Sequence, residues 1–207
     1  MCRCPFGARS DENLPAWRLR PAEQIGIKGL DSAEWREVRF DIDPSVKPDI
    51  VGTLTDMHAV ATGRVDAIYS AHNIEHVFSH EVDTVLREFH RVLKEDGFVV
   101  LTCPDLRSVC QAVANDRLFE TLYNSPAGPI TPIDVLYEHR DSVGKGKIHM
   151  AHKTGFTYST LNDALFKAGF KFNLGAARPS CYDLWIVSFK QLMSDEESMK
   201  IAMNYPP

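Results

Sequence analysis

The residues of this sequence with the clearest chemical potential are five consecutive positions, His72-Asn73-Ile74-Glu75-His76. Two histidines four residues apart on one helix can bind a single zinc ion, and the glutamate between them can act as a general base. That arrangement needs the middle of a long helix. Here a strand pattern enters at Ser70, and helix periodicity is clear only after His80. Peptide hydrolysis by a zinc peptidase is therefore kept only as a remote alternative.

Histidines near a strand end have a second possible use, in proton transfer. A neutral histidine can accept a proton from a hydroxyl or amine nucleophile. His149 and His152 form another close pair, but no cysteine or acid nearby in the sequence completes a set of ligands, so no metal site is predicted. The candidate catalytic residues are His72, His76, Tyr137, His139 and His152.

The hydrophobic pattern predicts the elements that must position these side chains. Short strands are predicted over 37–42 and 49–52, and a clearer one over 65–71. Apolar residues spaced three and four apart over 81–93 predict an amphipathic helix, which the segment 94–97 ends with a glycine. The continuous apolar run 98–103 is typical of a strand buried in a parallel sheet. Strand, helix and strand together predict a right-handed βαβ unit.

The second half of the chain contains a proline-rich segment followed by one helix and two strands. Residues 125–132 hold three prolines and are predicted to form part of a lid or binding loop. A helix is predicted over 160–168, ended by Gly169, and strands over 171–174 and 182–189 are expected to pair antiparallel. The predicted organisation is an irregular lead-in over 1–20, one domain over 21–192 with a lid region over 106–157, and a C-terminal tail over 193–207.

Residues 65–105 carry a resemblance to a known family. The segment VDAIYSAHNIEHV over 65–77 resembles the fourth strand and following turn of class I S-adenosylmethionine-dependent methyltransferases, in which an apolar-Glu-His-apolar group commonly follows the strand. FHRVLKEDG over 89–97 resembles the helix end of that family, with Glu95 and Asp96 in place of proline and glycine, and 98–105 resembles its fifth strand. The likeness extends more weakly over 24–190, and segments 125–131 and 152–157 resemble an uncharacterised bacterial branch.

This resemblance implies a Rossmann-like α/β fold with a mostly parallel seven-stranded sheet, a C-terminal antiparallel strand pair and a shortened first βα unit. It also implies S-adenosylmethionine as cofactor, bound beyond the carboxyl ends of the strands. Glycines of the 26–29 segment would allow close backbone approach, and Asp41, with Asp43 as the fallback, would accept hydrogen bonds from the ribose hydroxyls. The cofactor-binding residues that the resemblance implies are Gly26, Gly29, Asp41, Ile42, Thr53, Leu54, Asp56, Ser70, Ala71 and His72.

Composition limits the classes of partner. The formal net charge of -5 gives no general attraction to nucleic acid or to anionic membranes. No apolar run reaches the roughly 18 residues that span a bilayer, and the N-terminus lacks an apolar signal-peptide core, so a cytoplasmic protein is expected. The predicted function is methyl transfer to a small or sugar-like acceptor. The alternative is a non-catalytic binding domain that kept this fold and lost the glycine loop.

Overall fold

The computed structural model describes residues 4–9 (backbone), 35–125 and 128–204 of the 207-residue chain. Within these ranges the main sheet has seven strands, and a separate two-stranded hairpin lies outside it. The strands are β1 Cys4–Arg9, β2 Trp35–Asp41, β3 Ile50–Val51, β4 Val65–Ala71, β5 Leu93–Pro104, β6 Tyr123–Ser125, β7 Gly128–Ile130, β8 Phe172–Arg178 and β9 Asp183–Phe189. The helices are α1 Val82–Val92, α2 Leu106–Ala114, α3 Pro132–Tyr137, α4 Arg140–Gly144, α5 Tyr158–Ala168 and α6 Asp195–Asn204, with short 3₁₀ turns at Pro44–Val46, Ile74–His76 and Ile148–Met150.

The main sheet is mixed, with the strand order β3-β2-β1-β4-β5-β9-β8. Among the described strands, β2 with β3 and β4 with β5 are the parallel pairs, whereas β1 runs antiparallel to both of its neighbours. The expected mostly parallel arrangement is therefore not confirmed in detail, because β1, from the segment predicted as an irregular lead-in, lies between β2 and β4 and runs antiparallel to both. The predicted antiparallel pairing of the last two strands is confirmed in β8 and β9. The glycine segment 26–29, including Gly26 and Gly29, lies outside the described residues.

The predicted strand, helix and strand are confirmed in β4, α1 and β5, but the helix ends differently. Leu93 already pairs with Val65, and the register then moves so that Ala67 pairs with Phe98. Gly97 consequently lies in β5 rather than at a helix cap. A Cβ atom there would lie 2.9 Å from the backbone oxygen of Lys94 and 3.1 Å from that of Asp66, so close backbone approach explains the glycine.

Helices cover both faces of the sheet, and alternate residues of β5 face the two sides. Leu101 and the other inward residues on one face pack in a buried cluster with Phe89 of α1 and Leu161 of α5. On the opposite face Val100 belongs to a second cluster with Ala202 of α6. The segment 193–207, predicted to be a C-terminal tail, thus contains a packed helix. Period-two burial along β5 produces a three-layer α/β/α arrangement.

The proline-rich segment stays outside the main sheet, as its composition predicts. Its flanks form the β6–β7 hairpin, and Pro132 begins α3, where a missing N–H costs nothing. The predicted helix ended by Gly169 is confirmed as α5, and that glycine has a φ of 115°, the left-handed region. No helix among the described residues has the length and apolarity that crossing a membrane requires.

Gly175 of β8 lies where the backbone of β9 approaches closely. A Cβ atom at this position would lie 2.3 Å from the backbone oxygen of Trp185 and 2.8 Å from Cα of Ile186, and neither can move like a side chain. We expect Gly175→Ala to lower the free energy of unfolding by about 1–3 kcal/mol, as overpacking does elsewhere. Urea denaturation measures this difference.

The matched control is Gly144→Ala at the end of α4, where an added Cβ has no neighbour within 4 Å. That variant should be neutral or slightly stabilised, because alanine favours a helix over glycine. Equal stability of the two variants would show that β8 and β9 separate easily at Gly175.

Candidate functional site

A first cavity of about 400 Å³ opens at the carboxyl ends of β2 and β4. Asp41 ends β2, Thr53 follows β3, and Asn73 and His76 follow β4, so all four come from strand ends at one edge of the sheet. The segment from Ser142 to Lys153 closes the other side. Ligands of open α/β sheets bind at this edge.

The predicted cofactor-binding residues divide between this cavity and other places. Asp41, Ile42, Thr53 and Leu54 line it. Asp56 instead lines a separate surface depression beside His58 and Arg91. Ser70 is fully buried, and neither it nor Ala71 nor His72 is among the residues that line the first cavity.

Local hydrogen bonds distinguish the two acids after β2. Asp43 Oδ1 accepts from the backbone N–H of Ser45 at 2.8 Å, which caps the 3₁₀ turn Pro44–Val46. Hydrogen bonds from the side chain and the backbone of Ser45 lower the pKa of Asp43. Asp41 Oδ1 accepts from the backbone N–H of Asp43 at 2.9 Å. Asp43 therefore has a structural role as a cap, and this turn holds the carboxylate of Asp41 at the cavity wall.

Gly52 and Phe40 form a part of the wall that sequence reasoning missed. A Cβ atom on Gly52 would lie 2.5 Å from Cζ of Phe40, so any larger residue here would clash with the Phe40 ring. Both residues line the first cavity. The available signal was the glycine directly after a short apolar strand, since such a glycine often marks close approach.

A second cavity of about 180 Å³ collects most of the predicted catalytic residues, and we call it the histidine cavity. His72, His76, His139 and His152 all line it. Tyr137 is 66% exposed and is not among its lining residues. His76 and Met150 line both cavities, so the two spaces are neighbours.

The turn after β4 explains how these side chains are presented. His72 has a φ of 51°, and its N–H donates to the backbone oxygen of Thr102 at 2.9 Å. Ile74 is fully buried and anchors the 3₁₀ turn Ile74–His76. In the described chain these positions are a strand end and a three-residue turn, so the long helix that a zinc peptidase motif needs is not formed here.

The ring of His72 lies between two buried acids. Nδ1 is 3.1 Å from Glu75 Oε1, and Nε2 is 3.8 Å from Asp183 Oδ2. Burial lowers the pKa of His72, but the adjacent carboxylates of Asp183 and Glu75 outweigh burial and raise the pKa well above its usual value. Asp183 also accepts two hydrogen bonds from Arg178, one of them from Nε at 2.7 Å. Sequence reasoning did not identify Asp183 or Arg178.

His76 and His152 approach each other from distant parts of the chain. Their ring centroids are 5.0 Å apart. The backbone N–H groups of Lys153 and Thr154 donate to the oxygen of Glu75 at 2.8 and 3.2 Å, which ties this segment to the turn after β4. His152 Nε2 lies 2.9 Å from Glu138 Oε2.

These surroundings move the two histidine pKa values in opposite directions. Burial lowers the pKa of His76. Burial also acts to lower the pKa of His152, but its hydrogen bond to Glu138 prevails and raises it. The same bond lowers the pKa of Glu138 in spite of its burial.

A known family model matches the part of the chain that forms this sheet edge. Residues 30–101 match the family model described as a methyltransferase domain, which spans β2, β4 and β5 and the turn carrying His76. This part of the chain resembles the methyltransferase family. The match covers about a third of the chain and supports S-adenosylmethionine as the cofactor. It also agrees with the Rossmann-like α/β class expected for the fold.

Several solved structures resemble this chain. An S-adenosylmethionine-dependent methyltransferase from Thermotoga maritima is 16% identical with a TM-score of 0.43, covering 69% of this chain and 63% of its own. A methyltransferase from Methanosarcina mazei is 13% identical with a TM-score of 0.44, covering 69% and 66%. An O-methyltransferase family protein from Burkholderia thailandensis is 10% identical with a TM-score of 0.41, covering 68% and 35%. The chain thus spans less than two thirds of the length of each of these proteins. No curated protein matches it.

Proposed function

We propose that this chain is an S-adenosylmethionine-dependent methyltransferase that acts on a small-molecule acceptor. The observation that carries the proposal is the adjacency of the two cavities. The first cavity opens at the carboxyl ends of the strands, where open α/β sheets bind their ligands, and the histidine cavity shares His76 and Met150 with it. A donor in one space and an acceptor in the other would therefore meet beside His76.

The residues of the first cavity fit the cofactor by their chemistry. Asp41 offers a carboxylate for ribose hydroxyls, Thr53 a hydroxyl group, and Leu54 and Phe40 apolar surface for the adenine. When bound, the cofactor supplies a methyl group activated by an adjacent sulfonium. The first cavity has a volume of about 400 Å³, which falls within the range of small-molecule pockets.

The histidine cavity favours a small and polar acceptor. Its volume is about 180 Å³, and its lining includes Glu138, Asp134 and the stacked pair Tyr123 and Tyr182, with ring centroids 6.3 Å apart. Such walls can hold a hydroxyl- or amine-bearing molecule by hydrogen bonds and by its flat face. Holding donor and acceptor in line supplies much of the catalytic effect in such a transfer.

Calorimetric titration with S-adenosylhomocysteine tests the proposal without knowledge of the acceptor. We expect one equivalent to bind with micromolar affinity and to raise the melting temperature, because a ligand that binds only the folded state stabilises it. Adenosine and methionine serve as separate fragments, and each should bind more weakly than the intact ligand.

Absence of heat and of a thermal shift at millimolar S-adenosylhomocysteine would contradict the methyltransferase proposal. That result would favour the alternative, a binding domain with the methyltransferase fold. Binding without detectable methyl transfer would instead direct the search to the acceptor.

A further inference from the structure

We infer that Glu75, His76 and His152 form a binding site for a divalent transition-metal ion such as Zn²⁺. One ligand atom from each of the three residues lies within 4.8 Å of the others. Two imidazole nitrogens and one carboxylate oxygen are a donor set that suits zinc and its neighbours, whereas Mg²⁺ prefers oxygen ligands alone. The inference stands apart from the proposed methyl transfer.

Unsatisfied buried atoms point to a missing ligand at this position. The side chain of Glu75 is only 1% exposed, and its Oε1 contacts His72, but within the described chain its Oε2 has no hydrogen-bond partner. His76 Nε2 is likewise buried and without a partner among the described residues. Leaving a carboxylate oxygen and a ring nitrogen buried and unpaired is costly, and a bound cation would remove that cost.

The two histidines are oriented as metal-binding histidines usually are. His76 Nδ1 lies 3.4 Å from the backbone oxygen of Ala151, and His152 Nδ1 lies 2.7 Å from that of Val135. A carbonyl oxygen only accepts, so Nδ1 donates in both rings and Nε2 is the nitrogen that faces the group. Nε2 of His76 has no partner among the described residues, whereas Nε2 of His152 donates to Glu138 and would exchange that proton for the ion. A backbone carbonyl on the remote nitrogen is the common arrangement around bound metals.

A second carboxylate borders the group. Glu138 Oε2 is 2.9 Å from His152 Nε2, and Glu138 and His152 both line the histidine cavity. Three protein ligands leave a position of a four-coordinate ion for water or for an oxygen or nitrogen of a molecule in that cavity. Only this last role, contact with the methyl acceptor, rests on the proposed function.

Metal titration of the full chain tests the site. Protein stripped with a chelator and then desalted is titrated with Zn²⁺ alone and, in a second arm, with Mg²⁺ alone. We expect one equivalent of Zn²⁺ to bind and Mg²⁺ to give no comparable signal. Co²⁺ should produce a visible absorption spectrum that Zn²⁺ abolishes on addition. Failure of the unmodified protein to bind Zn²⁺ or Co²⁺ would overturn the inference.

Variants identify the ligands. Glu75→Gln and His152→Gln should each weaken Zn²⁺ binding by roughly 100-fold or more, since even the loss of an outer-shell partner costs about 10–100-fold. The matched control is His149→Gln, a histidine three positions away that is not part of the group. It should leave the Zn²⁺ affinity unchanged.

Circular dichroism shows whether each variant is folded, and His152→Gln carries the test if Glu75→Gln unfolds. Equal effects of His149→Gln and His152→Gln would place the ion elsewhere and overturn the assignment. S-adenosylhomocysteine binding is measured in a separate titration, so failure to bind the cofactor product and failure to bind Zn²⁺ can be told apart.

Discussion

Replacing Asp183 by asparagine is expected to lower the free energy of unfolding by about 3 kcal/mol, the cost of removing one partner from a buried ion pair. The side chain of Asp183 is 6% exposed and accepts both hydrogen bonds that Arg178 donates at the start of β9. An asparagine has nearly the same shape as aspartate, but its NH₂ group would face the N–H groups of the Arg178 guanidinium. The positive charge of Arg178 would then have no negative partner at this position. Urea denaturation monitored by circular dichroism measures the loss.

An exposed pair of the same residue types provides the control. Asp83 and Arg87 of α1 are 41% and 56% exposed, and their closest contact is 2.8 Å. Asp83→Asn should cost far less than Asp183→Asn, because water screens a surface pair. A double-mutant cycle of Asp183→Asn with Arg178→Gln then isolates the pair. A coupling energy near zero would show that Asp183 stabilises the fold through other contacts.

Local hydrophobic periodicity was sufficient to predict the central βαβ unit. The strand predicted over 65–71 has those bounds in the structure, and the helix predicted over 81–93 differs by one residue at each end. The early start of β5 was not predictable in the same way. Leu93 belongs to the strand because it pairs with Val65, and nothing local to the 94–97 segment separates a helix cap from this irregular pairing.

Strand direction was beyond the reach of periodicity for a different reason. Alternating and continuous apolar runs show that a strand is buried, but they do not show which way it runs. The antiparallel direction of β1 is set by its pairing with β2 and β4, which the local apolar pattern does not encode. The C-terminal pair was predictable because a short connection between two strands requires them to be antiparallel.

The residues of the first cavity were easier to predict from the sequence than those of the histidine cavity. An acid at the end of a strand is a local feature, so Asp41 could be named from its position. The meeting of His76 and His152 depends on hydrogen bonds between segments about 75 positions apart in the chain, such as His76 with Ala151. Neither spacing nor residue type indicated that Glu75 would be buried beside both rings.

Asp41 is the residue on which the cofactor assignment depends most directly. Asp41→Asn is expected to weaken S-adenosylhomocysteine binding by about 10–100-fold, because hydrogen bonds to a charged group contribute about 1.5–3 kcal/mol. The asparagine oxygen can still accept from the backbone N–H of Asp43, as Oδ1 of Asp41 does at 2.9 Å, so the turn after β2 should survive. Calorimetric titration measures the change in affinity.

Asp56→Asn is the matched control, since Asp56 follows β3 but lies outside the first cavity. Removing this carboxylate takes away the same charge at the same sheet edge without touching the proposed ribose site. Its affinity should remain within about twofold of the unmodified protein, a difference below 0.5 kcal/mol. If both variants lose affinity equally, general electrostatics and not a ribose contact explains the effect. If Asp41→Asn retains full affinity, the ribose hydroxyls are bound elsewhere.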